Sequence, residues 1–92
     1  MIIRILSEGQ YKLDSSLVDS LNDLDNRLVE VVGEGNEVEF RRLLTQMLDS
    51  VRERGQSLPV TELMASDLVL PEEDITLEEA RQLFTGEGII PG

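Results

Sequence analysis

The chain contains no cysteine, no histidine and no tryptophan. Without cysteine it can form no disulfide and offers no thiol chemistry, which fits a reducing compartment. Without histidine it lacks the commonest general base, so Ser-His-Asp and Cys-His arrangements are excluded within the chain. It also has no Walker A loop and no dinucleotide-binding glycine pattern. These absences predict that the protein is not an enzyme and binds no cofactor.

Aromatic and basic residues are both scarce. Aromatics make up 3% of the 92 residues, so the core must be aliphatic. Eight basic side chains against 19 acidic ones give a formal net charge of −11. Direct binding of nucleic acid is disfavoured, because phosphate recognition needs a basic footprint. The charge favours a basic protein surface as partner, although an acidic surface also serves plain solubility.

Long apolar runs are absent as well. No run approaches the roughly 20 residues that span a bilayer, and Met1–Leu6 is too short for a signal peptide. We therefore expect a cytoplasmic protein that does not insert into membranes and that reaches a membrane face only through a partner. The length predicts a single domain, 1–92, built from segments 1–13, 14–54 and 55–92.

The most regular pattern lies between Asp14 and Arg54. It predicts two antiparallel helices joined at Gly33–Gly35. The first helix begins with Asp14 as its N-cap, and the second begins at Asn36, which has the spacing of a capping box with Glu39. The apolar positions recur at steps of three and four and are Leu17, Leu21, Leu24, Leu28 and Val31, then Phe40, Leu43, Leu44, Met47, Leu48 and Val51.

Shorter elements flank these helices. Ile2–Leu6 and Gln10–Leu13, separated by a turn at Ser7–Gly9, predict a β-hairpin. Beyond Gly55, which is expected to end the second helix, Asp67–Leu70 predicts a third strand. Thr61–Met64 could form one helical turn, and the spacing of Thr76 and Glu79 predicts a capping box that opens a short helix.

The C-terminal part completes the predicted fold. Leu77, Ala80, Leu83 and Phe84 form the apolar side of the short helix, and Gly86 is expected to stop it. Ile89–Ile90 is expected to dock on the domain, the alternative being a segment that binds a partner. The predicted fold is α+β: an N-terminal β-hairpin, with a third strand possible, packed on an antiparallel helical hairpin and completed by a short C-terminal helix.

Carboxylates are the one plentiful reactive group. Asp23 and Asp25 lie on different faces of a helix, so they cannot form an acid–base pair. Glu72–Asp74 is the densest acidic run, but the EF-hand pattern is absent, and a solvated helix N-terminus is favoured over a metal site. We expect an ion pair between Asp25 and Arg41 to join the two helices. A contact with a partner is the alternative role for Arg41 and Arg42.

Several stretches resemble the PspA-associated proteins, the PspAA family. They are Met1–Tyr11, Ser66–Pro71, Thr76–Glu79 and Gly86–Gly92, with an acidic helical middle between the ends. The resemblance implies a small cytoplasmic protein of the phage-shock envelope-stress response, encoded beside PspA, and PspA-like proteins are coiled-coil, membrane-remodelling proteins. It implies no catalytic residues. Ile89–Ile90 stands where Leu-Ile would be expected, which is a conservative departure.

Charge and resemblance lead to one hypothesis: an adaptor or regulator that binds a basic, amphipathic segment of a PspA-like partner and holds it off the membrane. The alternatives are an acidic inhibitor that mimics nucleic acid to occupy a basic regulator, and a metal-dependent hydrolase with carboxylates clustered in a pocket. An exposed strand edge could also pair two copies. The candidate contact residues are Asp19, Asp23 and Glu30, with Glu72, Glu73 and Asp74 second.

Overall fold

The computed structural model describes residues 1–62, 64–85 and 88–90 of the chain. Within these ranges it has the α+β arrangement that the sequence predicts. The strands are β1 (Ile2–Ile5), β2 (Gly9–Lys12), β3 (Gln56–Ser57) and β4 (Leu68–Leu70). The helices are α1 (Val18–Gly33), α2 (Glu37–Arg54) and α3 (Leu77–Leu83), with 3₁₀ turns at Ser15–Leu17 and Val60–Glu62.

The strands form one sheet in the order β3-β2-β1-β4. The predicted hairpin is present, because β1 and β2 pair antiparallel with Ile3 opposite Tyr11. The predicted third strand is also present as β4, which pairs parallel with β1 and places Val69 beside Arg4. The two-residue β3, which the sequence did not predict, pairs antiparallel with β2.

The two faces of the sheet have different roles. Ile3, Ile5, Leu68 and Leu70 point to the inner face and belong to the buried core. Because side chains alternate along a strand, their neighbours point to the outer face. The outer face therefore carries Ile2, Arg4, Gln10, Lys12 and Val69.

The first helical segment differs from the prediction at its start. Asp14 does act as a cap, but its carboxylate accepts a hydrogen bond from the Ser16 N–H at 2.9 Å. This bond closes a 3₁₀ turn, so the α-helix begins only at Val18. At the other end α1 continues through Gly33, and the chain reverses at Gly35, where φ is 71°. Glycine reaches this conformation without steric cost.

The second helix begins and ends close to the predicted residues. The Asn36 side chain accepts the Glu39 N–H at 3.1 Å, but Glu39 does not return the bond, because its carboxylate pairs with Arg42. Gly55 ends α2 with an extended backbone, φ −85° and ψ 156°. A Cβ at Gly55 would lie 2.5 Å from the Val51 carbonyl oxygen and 3.0 Å from the Tyr11 Cβ. Glycine is therefore needed here for close approach to the sheet.

A buried glutamine holds the connection between β3 and β4 over the outer face of the sheet. Gln10 is 4% exposed. Its amide oxygen accepts the Met64 N–H at 3.2 Å, and its amide nitrogen donates to the Met64 carbonyl at 2.5 Å and the Ser66 hydroxyl at 2.8 Å. The predicted helical turn over Thr61–Met64 is wrong at Met64, which is not helical, and Leu63 lies outside the described residues.

The third helix opens with the predicted capping box. The Thr76 hydroxyl accepts the Glu79 N–H at 3.1 Å, and the Glu79 carboxylate accepts the Thr76 N–H at 3.3 Å. Ala80 and Phe84 are buried, whereas Leu83, which was also predicted on the apolar side, is 41% exposed. The predicted stop at Gly86 lies outside the described residues.

Candidate partner-binding surface

Three of the candidate contact residues form one line along α1. Leu21, Leu24, Leu28 and Val32 bury one side of this helix. At 100° per residue, Asp19, Asp23 and Glu30 fall within roughly 40° of one another on the opposite side. All three are exposed, as the periodicity predicted. These three residues are called the acidic stripe below.

The ion pairs of the described residues lie outside the acidic stripe. Arg42 pairs with Glu39, and the Arg27 guanidinium lies 3.9 Å from the same carboxylate. Arg52 pairs with Glu8 and Asp49 at 2.7 and 3.0 Å. Among the described residues, no ion pair involves Asp19, Asp23 or Glu30. The three carboxylates of the stripe are thus exposed and without an ion pair in the described part of the chain.

A shallow groove borders the stripe. It lies between α1 and α2, and its volume is about 290 Å³. Leucines line its floor, polar side chains line its rim, and Asp23 belongs to both the rim and the stripe. The lining residues are Leu13, Leu17, Ser20, Leu21, Asp23, Leu24, Arg27, Gln46, Ser50 and Arg54.

The second candidate group, Glu72–Asp74, lies on a different segment, the connection between β4 and α3. All three side chains are exposed. The segment is fixed from outside: the Arg41 guanidinium donates to the carbonyls of Glu73 and Ile75 at 2.5 and 2.8 Å. The Ser7 hydroxyl donates to the Glu72 carboxylate at 2.8 Å. Since Glu72 and Glu73 already serve the fold, the stripe is the better candidate surface.

Asp25 plays a role that differs from the predicted one. The expected ion pair with Arg41 is wrong, because Arg41 binds backbone carbonyls and Asp25 is fully buried. The two Asp25 carboxylate oxygens accept the N–H groups of Ile89 and Ile90 at 3.0 and 2.8 Å. Ile90 is 3% exposed, so the predicted docking of the Ile89–Ile90 pair is confirmed.

The helical periodicity of the sequence indicates that Asp25, which anchors the Ile89–Ile90 segment, lies on the buried side of α1. Asp25 lies four residues after Leu21 and three before Leu28, a spacing that places it on the buried side of α1. Gly88 packs against the carboxylate with φ 81°, and a Cβ at that position would lie 2.5 Å from an Asp25 oxygen. Among the described residues Asp25 forms no ion pair, which was unexpected; its two carboxyl oxygens accept two backbone N–H groups instead.

A cluster of charges ties the β1–β2 turn to α2. The Arg52 guanidinium donates to both Glu8 carboxylate oxygens, and the Tyr11 hydroxyl donates to one of them at 2.6 Å. The Arg52 hydrogen bond holds the pKa of Glu8 below its usual range, with a smaller effect from Tyr11. The bond to Glu8 also raises the pKa of Tyr11.

The Glu8 cluster predicts a pH dependence of stability. Because the pKa of Glu8 is lower in the folded protein, the unfolded chain takes up a proton first as the pH falls. The stabilisation is complete at pH values above the pKa that glutamate has in the unfolded chain. It disappears as the pH falls through the lowered pKa of Glu8 in the folded protein. We expect the free energy of unfolding to fall by about 1 kcal/mol less in acid for Glu8→Gln than for the wild type. The effect is this small because the ion pair of Glu8 with Arg52 is partly exposed.

Chemical denaturation from neutral to acid pH measures this dependence. Glu53→Gln, on an exposed part of α2, is the matched control. If the free energy of unfolding of Glu8→Gln falls with acidification as steeply as that of the wild type, Glu8 is not the source of the pH dependence.

The part of the chain that the structure describes contains no cluster of side chains suited to holding a metal ion. No three carboxylates there lie close enough together to hold one ion. The hydrolase alternative required such a cluster in a pocket. Among the same residues, no helix is both long enough and apolar enough to span a membrane.

The fold and surface define a small α+β domain with an acidic helical face and a buried carboxylate anchor. A model of the PspA-associated protein family, PspAA, matches residues 1–92. The chain therefore belongs to the PspA-associated protein family. No curated protein and no solved structure matches it.

Proposed function

We propose that this protein is a non-catalytic interaction module that binds a PspA-like protein and acts as its adaptor or regulator. Membership of a family named for association with PspA supports a partner of this kind. The observation that carries the proposal is the acidic stripe, whose three exposed carboxylates form no ion pair among the described residues. Exposed charges of one sign steer and orient a partner of the opposite sign.

The stripe and the groove together suit a basic amphipathic helix. Lysine or arginine side chains of such a helix would face Asp19, Asp23 and Glu30. Its apolar side would face the leucine floor of the groove, a common mode of helix recognition. Because Asp23 belongs to both features, one segment can contact them at the same time.

This mode of binding suggests how the module regulates its partner. Basic amphipathic helices bind the anionic face of a membrane through the same lysines and arginines. A segment held on the acidic stripe is not available to lipid. The module therefore acts on the cytoplasmic side and lowers the membrane affinity of its partner without inserting into the bilayer.

Neutralising the stripe tests the proposal. We expect the triple variant Asp19→Asn, Asp23→Asn, Glu30→Gln to bind a purified PspA-like protein about tenfold more weakly, since each exposed charge contributes up to about 1 kcal/mol. The matched control, Glu53→Gln, Glu62→Gln, Glu78→Gln, removes the same charge from other exposed positions and should bind within about twofold of the wild type. Isothermal titration calorimetry measures both.

Equal weakening of the two triple variants would show that net charge, and not the stripe, controls binding. Binding to a DNA-binding regulator in place of the PspA-like protein would favour the nucleic-acid-mimic alternative.

A further inference from the structure

The outer face of the sheet has a chemistry opposite to that of the acidic stripe. Arg4 and Lys12 are the only charged residues within the four described strands, and both lie on this face. The rest of the protein is strongly acidic, with a net charge of −11. The helices pack against the inner face, through Ile3, Ile5 and Leu70.

The connection between β3 and β4 covers Gln10 and Ile2 on the outer face, and the Asp67 carboxylate accepts the Ile2 N–H. The part around Arg4 and Val69 stays accessible, since Val69 is 47% exposed.

Exposed apolar side chains surround Arg4. Val69 is its cross-strand neighbour on β4 and is 47% exposed. Leu6, two residues further along the same strand direction, is 45% exposed. Met64 is held beside the face by Gln10, the other cross-strand neighbour of Arg4, and is 54% exposed. These three residues and Arg4 are called the sheet patch.

Arg4 itself is partly buried within the patch. Among the described residues it makes no side-chain hydrogen bond and no ion pair. Arg54 and Arg81 also make none, but both of them are exposed. A partly buried guanidinium has five donors arranged to bind a carboxylate. The chemistry of the patch therefore fits a carboxylate flanked by apolar side chains.

In the described part of the chain, no strand pairs with the outer edge of β4, the strand next to the patch. β4 is the last strand of the sheet on that side. The Leu6 N–H donates to the Leu70 carbonyl at 3.0 Å, so Leu70 directs its backbone polar groups towards β1. By alternation, Val69 directs its N–H and C=O away from the sheet, where an added strand could pair with them.

We propose that the sheet patch and the edge of β4 bind an extended, acidic segment of the partner as an added strand. A carboxylate of that segment would pair with Arg4, and its apolar side chains would cover Val69 and Leu6. A second copy of this chain fits less well, because each copy carries a net charge of −11. This inference rests on the proposed function, and it gives the module two binding surfaces of opposite charge.

Two substitutions with matched controls test the proposal. Arg4→Gln is expected to weaken binding of the purified PspA-like protein about tenfold, the loss expected for one charged hydrogen bond. Val69→Asp is expected to weaken it by about the same factor, because it places an unpaired charge in an apolar contact. Arg81→Gln and Val38→Asp make the same chemical changes on exposed parts of α3 and α2, and should leave affinity within about twofold. Val69→Asp changes an exposed side chain, so it remains informative if Arg4→Gln fails to fold.

Hydrogen exchange supplies a readout specific to strand addition. In the complex the Val69 amide should exchange at least about tenfold more slowly than in the free protein, because its N–H becomes hydrogen-bonded. If the partner binds but neither Val69 exchange nor the Arg4 and Val69 variants respond, the sheet-patch inference is wrong and the proposed function stands. If the wild type does not bind, both fail. Concentration-dependent protection of Val69 without partner would identify a second copy as the occupant and overturn the proposal.

Discussion

Replacing Asp25 by alanine is expected to lower the free energy of unfolding by about 2–4 kcal/mol. The carboxylate is fully buried and accepts two consecutive backbone N–H groups, those of Ile89 and Ile90. Removing it leaves both donors without a partner, and each unsatisfied buried donor costs about 1–3 kcal/mol. A chain of this size has a total stability of only roughly 5–14 kcal/mol, so the loss is a large fraction of it.

Urea denaturation monitored by circular dichroism measures the effect. Asp23→Ala, an exposed aspartate two residues earlier on the same helix, is the matched control and should change stability by less than about 0.5 kcal/mol. Hydrogen exchange at Ile89 and Ile90 should accelerate in Asp25→Ala alone. An Asp25→Ala protein as stable as the control would show that the anchor contributes nothing to the fold.

A substitution on the other side of the same contact gives an independent check. Gly88→Ala would place a Cβ 2.5 Å from an Asp25 carboxylate oxygen, at a backbone φ of 81° that suits glycine. Both effects oppose docking of Gly88–Ile90. The variant should therefore expose the Ile89 and Ile90 amides to exchange as Asp25→Ala does.

Replacing Phe40 by alanine is expected to cost about 3–5 kcal/mol, the range for deleting a buried phenylalanine ring. Phe40 is fully buried on α2 and meets Phe84 edge to face, with ring centroids 6.4 Å apart. The Arg41 guanidinium lies 5.1 Å from the Phe40 ring centre. The ring therefore connects α2 to the residue that follows α3 and supports the arginine that fixes the Glu72–Asp74 segment.

Thermal and urea denaturation measure the Phe40 effect. Phe40→Leu keeps most of the volume and should cost under about 1.5 kcal/mol. With only three aromatic side chains in the protein, few others can fill the space. A Phe40→Ala variant that unfolds at the same urea concentration as Phe40→Leu would contradict this account of the core.

The positions of α2 and α3 were predictable because several local signals agree there. The apolar residues of α2 recur at helical spacing, Asn36 has the right side chain for its cap, and Thr76 and Glu79 make the predicted capping box. The pairing of β1 with β2 follows from alternation and a short turn. Periodicity also placed the acidic stripe, since exposure depends only on which side of α1 a residue occupies.

Features that depend on tertiary contacts were not predicted from the sequence. β3 consists of two exposed polar residues, Gln56 and Ser57, which have no strand pattern and pair only because β2 lies beside them. Asp25 was expected to pair with a cation, but two distant backbone donors satisfy it instead. The environment of Arg4 likewise depends on which strand lies next to β1, which no local pattern specifies.

Direct association between this protein and a purified PspA-like protein is the most direct test of the account. Titration calorimetry at low and at high salt should show binding that weakens markedly as salt rises, because the acidic stripe acts through exposed charges that salt screens. Neutralising Asp19, Asp23 and Glu30 should remove most of that salt dependence. No heat of binding at low salt, or an affinity that salt leaves unchanged, would contradict a charge-guided adaptor.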